Sequence, residues 1–196
     1  MQTMPLGDLN VSVKKTTLEG EGVFEMTSTV TGSFVSLDQK IVVSANDLAP
    51  VFYKSSLMAG PTQVMSEITI DNGSGSGTVK GPQDSEAKEI TVKLIDGAIF
   101  DDTVEYAMSL LPMEVAKKYR FPVVDTNSGD LQNVDVEVLE EASVEVPAGS
   151  FDTFKVKVIT PEMEYFYYCT KDMPHLMVKH EVPAQMLSME LKSVSK

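Results

Sequence analysis

Apolar and polar residues alternate along most of this chain. In "LNVSVKK", Leu9, Val11 and Val13 fall on one face of an extended segment. The same period of two runs loosely through "GVFEMTSTV". It continues in "SFVSLDQKIVVS", which carries Phe34, Val35, Leu37, Ile41 and Val43, and in "PVFYKSSLM", "TQVMSEITID", "GSGTVKG" and "KEITVKLI". It is also present in "LQNVDVEVLEE", "SVEV", "FDTFKVKVIT", "EYFYYCT", "HLMVKHEV" and "MLSMELKSV". The clearest cases are Val134, Val136 and Val138 against Asp135 and Glu137, and Phe154, Val156 and Val158 against Lys155 and Lys157. Successive strand side chains point to opposite faces. Alternation therefore means one buried face and one wet face, the mark of antiparallel sheet.

Turn signals separate these runs. They are Thr31-Gly32-Ser33, Asp71-Asn72-Gly73, Gly81-Pro82, Asn127-Ser128-Gly129-Asp130 and Pro147-Ala148-Gly149-Ser150. Gly and Asn tolerate the positive φ that tight hairpins need. Roughly a dozen short strands joined this way predict a meander. No Gly-rich linker or shift in composition divides the chain, so a single β-rich domain over residues 1–196 is expected.

One segment departs from period two. "FDDTVEYAMSLLPMEVAKKY" sets Val104, Ala107, Met108, Leu111 and Val115 at helical intervals. Asp101 or Asp102 can cap its start, and acidic residues there suit the helix dipole. Pro112 disfavours the α conformation at Leu111. The spacing predicts a helix from about Asp102 to Leu111, with a second short turn over Pro112 to Lys117. One or two short helices of this kind would cover the apolar face of the sheet.

Composition narrows the function classes. The chain has 196 residues, is 42% hydrophobic and carries a formal net charge of -13. Such an acidic surface opposes nucleic acid and anionic headgroups. Cys169 is the single cysteine, so no intramolecular disulfide forms. No run approaches the roughly 18–20 apolar residues of a membrane span. The start "MQTMPLGDLNV" has neither the basic nor the apolar region of a signal peptide.

Three pieces, in order, resemble a known family: "FDDTVEYAMSLLPME" followed by "YRFPVVD", then "EASVEVPAGSFDTFKVKV", then "EYFYYCTKDMPHLMVKHEV". The family is a bacterial cell-envelope family of unknown function, with members carrying "vPAGtF" followed by "wYs" and "vvk.e". The resemblance covers most of the chain and is stronger from Ile90 onward. It implies a mainly β fold, a single strongly curved antiparallel meander similar to the open half-barrel of outer-membrane lipoprotein carriers. It also implies export to the periplasm or envelope of a bacterium. It carries over no catalytic residue. The tyrosine strand here reads Tyr165-Phe166-Tyr167-Tyr168 and the chain has no tryptophan.

Several local motifs bear on chemistry. "DNGSGSGTVKG" lacks the Lys-Ser/Thr ending and following helix of a phosphate loop, and reads as a hairpin. "DTNSGD" shares Asp125, Asn127 and Gly129 with part of a calcium loop but lacks the late bidentate carboxylate. Cys169, Met173, His175, Met177 and His180 cluster in sequence and would suit copper, although methionine also fills irregular cores. A nucleophile would require Cys169 or a carboxylate within reach of His175 or His180. The turn chemistry of Pro147 to Ser150 favours a tight hairpin over a ligand loop.

The expected function is a non-enzymatic, exported binding or accessory domain, with no cofactor. A lipidic or amphiphilic ligand would lie on the concave sheet face, lined by Tyr165, Tyr167, Met108, Leu111 and Met177. A protein-interaction or scaffold module of the envelope is the alternative, and a hydrolase using His175 or His180 the second alternative.

Overall fold

A computed structural model describes residues 6–195. The signal-peptide reading falls partly on residues 1–5, which lie outside the described residues. Seven strands come first: β1 (Asp8–Leu18), β2 (Glu21–Thr31), β3 (Val35–Ser44), β4 (Pro50–Ala59), β5 (Thr62–Asp71), β6 (Ser74–Lys80) and β7 (Lys88–Lys93). They form one antiparallel sheet whose spatial order follows the chain. Seven more follow: β8 (Ile99–Phe100), β9 (Lys118–Val124), β10 (Leu131–Val146), β11 (Gly149–Ile159), β12 (Glu164–Thr170), β13 (Met177–Val182) and β14 (Leu187–Glu190). These make a second sheet, also in chain order, with β8 and β14 at its ends.

Two sheets replace the single meander that the alternation predicted. The reason lies between β7 and β9. A meander needs a short turn at each step. After Lys93 the chain instead turns at Gly97, with φ of 74°, and enters the buried run Ala98, Ile99 and Phe100. A helical segment and a further loop then separate β8 from β9. The chain groups into two compact units: the described residues through Asp101 with Val124–Leu131, and Asp102–Val123 with the residues from Gln132 onward.

The helix is shorter than its apolar spacing predicts. A 3-10 turn spans Asp101–Thr103, and α1 runs only from Val104 to Ser109. Thr103 occupies the N-cap without a side-chain bond to the helix. The Asp101 carboxylate accepts from Thr126 N at 3.4 Å instead. A short turn does form within Pro112 to Lys117, with Lys117 N donating to Glu114 O at 3.0 Å, but no second helix; Ala116 takes φ of 69° and its N–H donates to Val138 O. Pro112 O accepts from the Tyr119 hydroxyl.

The hairpins match their turn residues. Asn72 and Gly73 both have positive φ between β5 and β6, as a two-residue hairpin requires. Pro147 and Ala148 link β10 to β11, and Val146 pairs with Gly149. "LQNVDVEVLEE" and "SVEV" prove to be one 16-residue strand, with the lapse in alternation absorbed by a bulge between Val138 and Glu140.

Candidate functional site

Register places the candidate surfaces. Residues directly opposite across a ladder share a face. On the first sheet the pairings Leu9–Val30, Val30–Leu37, Leu37–Leu57 and Leu57–Val64 join five strands into one apolar row. All five side chains keep exposed surface; Leu9 is 39% exposed and the others are half-buried. The next row on that face runs Val11, Ser28, Gln39, Ser55, Ser66 and Val79. It carries hydroxyls and an amide and no charge. Beyond it lies the buried row of Met26, Ile41, Tyr53 and Ile68. Gln39 Nε2 donates to the Tyr53 hydroxyl at 3.3 Å, and the Tyr53 ring lies 5.4 Å from Phe100. The opposite face carries ion pairs such as Lys40–Glu25 and Lys54–Glu67, with Val23 and Val42 buried toward one end.

The second sheet also has two distinct faces. One carries Val136, Val158 and Tyr165, and Val138, Val156, Tyr167 and His180, joined row by row across β10 to β13. Tyr165 and Tyr167 meet edge to face at 5.4 Å. The His180 ring lies 4.5 Å from Tyr167 and 5.2 Å from Tyr165. His180 Nε2 is buried and finds no partner among the described residues. Burial lowers the His180 pKa to about 4, which keeps the ring neutral at ordinary pH. Glu105 of α1 lies near enough to raise both Tyr167 and Cys169 further, beyond the larger effect of their burial. Its own carboxyl is pushed up to about 7, by burial first and then by Asp102.

The other face of this sheet is charged and aromatic. Lys155 Nζ lies 5.0 Å from the Phe166 ring centre and 5.8 Å from that of Tyr168. Lys157 pairs with Glu164, and Lys179 with Glu181 and Glu190. The Tyr168 hydroxyl donates to Glu181 at 3.0 Å. Strand β12 thus has aromatic side chains on both faces. Phe166 and Tyr168 are half-buried, with lysine ammonium groups over their rings.

The residues expected to line a ligand all fall in the second unit and differ in burial. Met108 and Tyr167 are buried in the second unit, at 1% and 7% exposure. Tyr165, Leu111 and Met177 are half-buried, and Met177 stands opposite Cys169 at the start of β13. His175 and His180 have different surroundings. His175 is buried, with Nδ1 at 2.6 Å from Thr170 O and Nε2 at 3.0 Å from Leu111 O. Its backbone N–H donates to Ser109 O. It clasps the end of α1 to the turn before β13.

Cys169 does not present a reactive thiolate. Burial, then Glu105, pushes its pKa to about 12. The calcium-like loop uses its own oxygens: Asp125 Oδ1 accepts from Asn127 N at 2.7 Å and Asp125 O from Gly129 N at 2.8 Å. Among the described residues no group of three or more His, Cys, Asp or Glu side chains is arranged around a metal position. No helix of the described residues is long and apolar enough to cross a membrane.

Sequence reasoning missed two things. The five-strand apolar row needed the register, which depends on every turn length at once. Glu105 reads as an ordinary acidic residue at a helix start until burial is known. Searches of the curated proteins and of the solved structures returned no match. A family model described as "Protein of unknown function (DUF3108)" matches residues 2–192, and the chain belongs to that family.

Proposed function

We propose that this protein is a non-enzymatic, exported envelope domain that holds the hydrocarbon part of an amphiphilic molecule along the partly exposed apolar row of its first sheet. The observation that carries this reading is the row Leu9, Val30, Leu37, Leu57 and Val64, five apolar side chains in register that retain exposed surface. Covering apolar surface contributes about 25 cal/mol per Å². An acyl chain is long enough to cross several strands spaced about 4.8 Å apart. In the uncharged row beside it, Gln39 and Ser55 keep exposed surface, which suits hydroxyl or ester groups better than an ionised head. Half-buried Tyr165, Leu111 and Met177 are the members of the second unit that could offer further surface.

The reading is tested by solvent extraction and mass analysis of the purified protein, followed by titration with a fluorescent acyl-chain probe. Saturable binding is expected. Leu37→Asp with Leu57→Asp should weaken it about tenfold or more, because burying an unpaired carboxylate is costly. Tyr165→Ala with Leu111→Asp should have little effect. Unchanged affinity in the folded Leu37/Leu57 variant would sink the proposal. Loss only in the second pair would move the site to the other unit.

A scaffold role in the envelope is the second reading. It is favoured by the apolar side chains of β1, which ends the first sheet.

A further inference from the structure

Strand β1 is an edge of the first sheet, and nearly all of its side chains are exposed. Leu9, Val11 and Val13 are 39%, 47% and 50% exposed on one face. Its ladder with β2 runs from Asp8 to Leu18 without a bulge, and it contains no proline. Bulges and proline are among the devices that commonly keep an edge strand from pairing with another chain. Two lysines, Lys14 and Lys15, are the charges toward its far end, with Asp8 at its start. The strand is therefore slightly basic on a chain whose net charge is -13.

We infer that β1 pairs with β1 of a second copy, antiparallel about a two-fold axis through Val11. The sequence of the strand supports this single register. With Val11 opposite Val11, Leu9 faces Val13 of the second copy and Val13 faces Leu9. On the other side of the sheet Asn10 faces Ser12, and Asp8 faces Lys14 at both ends. Three apolar pairs and two acid–base pairs form together. A shift that sets Val11 against Val13 puts Leu9 on Lys15. A shift that sets Val11 against Leu9 puts Lys14 on Leu6. A shift that pairs an odd with an even position sets the apolar face against the polar one.

Self-complementarity of this kind is what an isologous two-fold contact requires. Each copy supplies the same backbone edge, and the ladder extends the first sheet into its counterpart. Lys14 already lies opposite Glu25 of β2 within one copy. The pairing would place it between that carboxylate and Asp8 of the second copy. The inference does not depend on the ligand proposed above.

Sedimentation equilibrium of the full chain tests it through a charge exchange. The wild type should be a dimer. Asp8→Lys sets two ammonium groups against each other at both ends of the ladder, and Lys14→Asp sets two carboxylates there, so each single variant should dissociate. The double variant Asp8→Lys/Lys14→Asp should dimerise again, and an equal mixture of the two single variants should form a heterodimer. Val11→Lys opposes two ammonium groups on the axis and should be monomeric, with circular dichroism confirming its fold. Val11→Cys should cross-link to its counterpart on oxidation, since directly opposed strand positions have the Cα separation of a disulfide. A monomeric wild type, or single variants that dimerise as the wild type does, would overturn the inference. So would protection of the β1 amides by an acyl-chain probe in a protein that stays monomeric.

Discussion

Glu105 and His180 should make stability depend on pH in opposite senses. The Glu105 carboxyl has its pKa raised from 4.5 to about 7. The folded state therefore holds that proton more tightly than the unfolded state. The associated stability is fully present below about pH 4.5 and is lost as pH rises through about 7. Glu105→Gln should flatten this loss and raise stability at pH 8 by about 1–3 kcal/mol, a figure discounted for the partial exposure of the residue. Urea unfolding at a series of pH values measures it; a variant as pH-sensitive as the wild type would refute the assignment. His180 behaves conversely. Its pKa falls from 6.5 to about 4, so its stability is present above 6.5 and lost as pH falls through 4. His180→Phe should blunt acid destabilisation between those limits. His175 is a separate case, because its ring contacts two carbonyls and its backbone a third. His175→Ala removes the ring from between Thr170 O and Leu111 O, opens a cavity and should cost about 2–4 kcal/mol in urea midpoint experiments. None of these roles was legible in sequence. "CTKDMPHLMVKH" offered two histidines near a cysteine, and the folded chain gave them unrelated partners.

Single positions also decide whether an element can form at all. Strand β6 approaches β5 closely at Gly77, where an added Cβ would lie 2.1 Å from Glu67 O. That atom is backbone and cannot swing away. Gly77→Ala should cost about 1–3 kcal/mol. Gly22→Ala is the control, because its Cβ would meet only Ala45 Cβ at 3.7 Å. Equal thermal midpoints for the two variants would contradict this account. "DNGSGSGTVKG" was readable as a hairpin from Asn72-Gly73, but not as a strand that needs glycine for close packing. At the Pro147–Ala148 corner the turn was readable outright. Gly149 adopts φ of 130°, a region that Cβ-bearing residues rarely enter. What the sequence hid there is the tether from Ala148 N to Leu191 O, which joins positions far apart in the chain. In α1, helical spacing from Val104 to Leu111 overstated the length, since the regular turns end at Ser109.

For the molecule as a whole, charge rather than packing gives the accessible test. The net charge of -13 destabilises the compact state by self-repulsion. Several ion pairs oppose it, including the two-bond Arg120–Asp135 contact at 2.6 and 2.8 Å. Those groups are largely exposed, so water and salt screen the pair and little stability comes from it. Repulsion should therefore win. Raising ionic strength should raise the thermal midpoint by a few degrees at neutral pH. A falling midpoint would mean that the ion pairs dominate.

Period two records which side chains each strand buries, so the strands were present in the order of residues alone. Most hairpins were present there too, because positive φ selects Gly and Asn at known places. The division into two sheets was not. That outcome depends on what residues 94–117 do when period two stops, and no local rule specifies it. Nor was the apolar row from Leu9 to Val64, which exists only once five strands are in register. The raised carboxyl of Glu105 and the clasped ring of His175 also belong to the folded chain. Burial and partners set their chemistry, and both come from segments distant in the sequence.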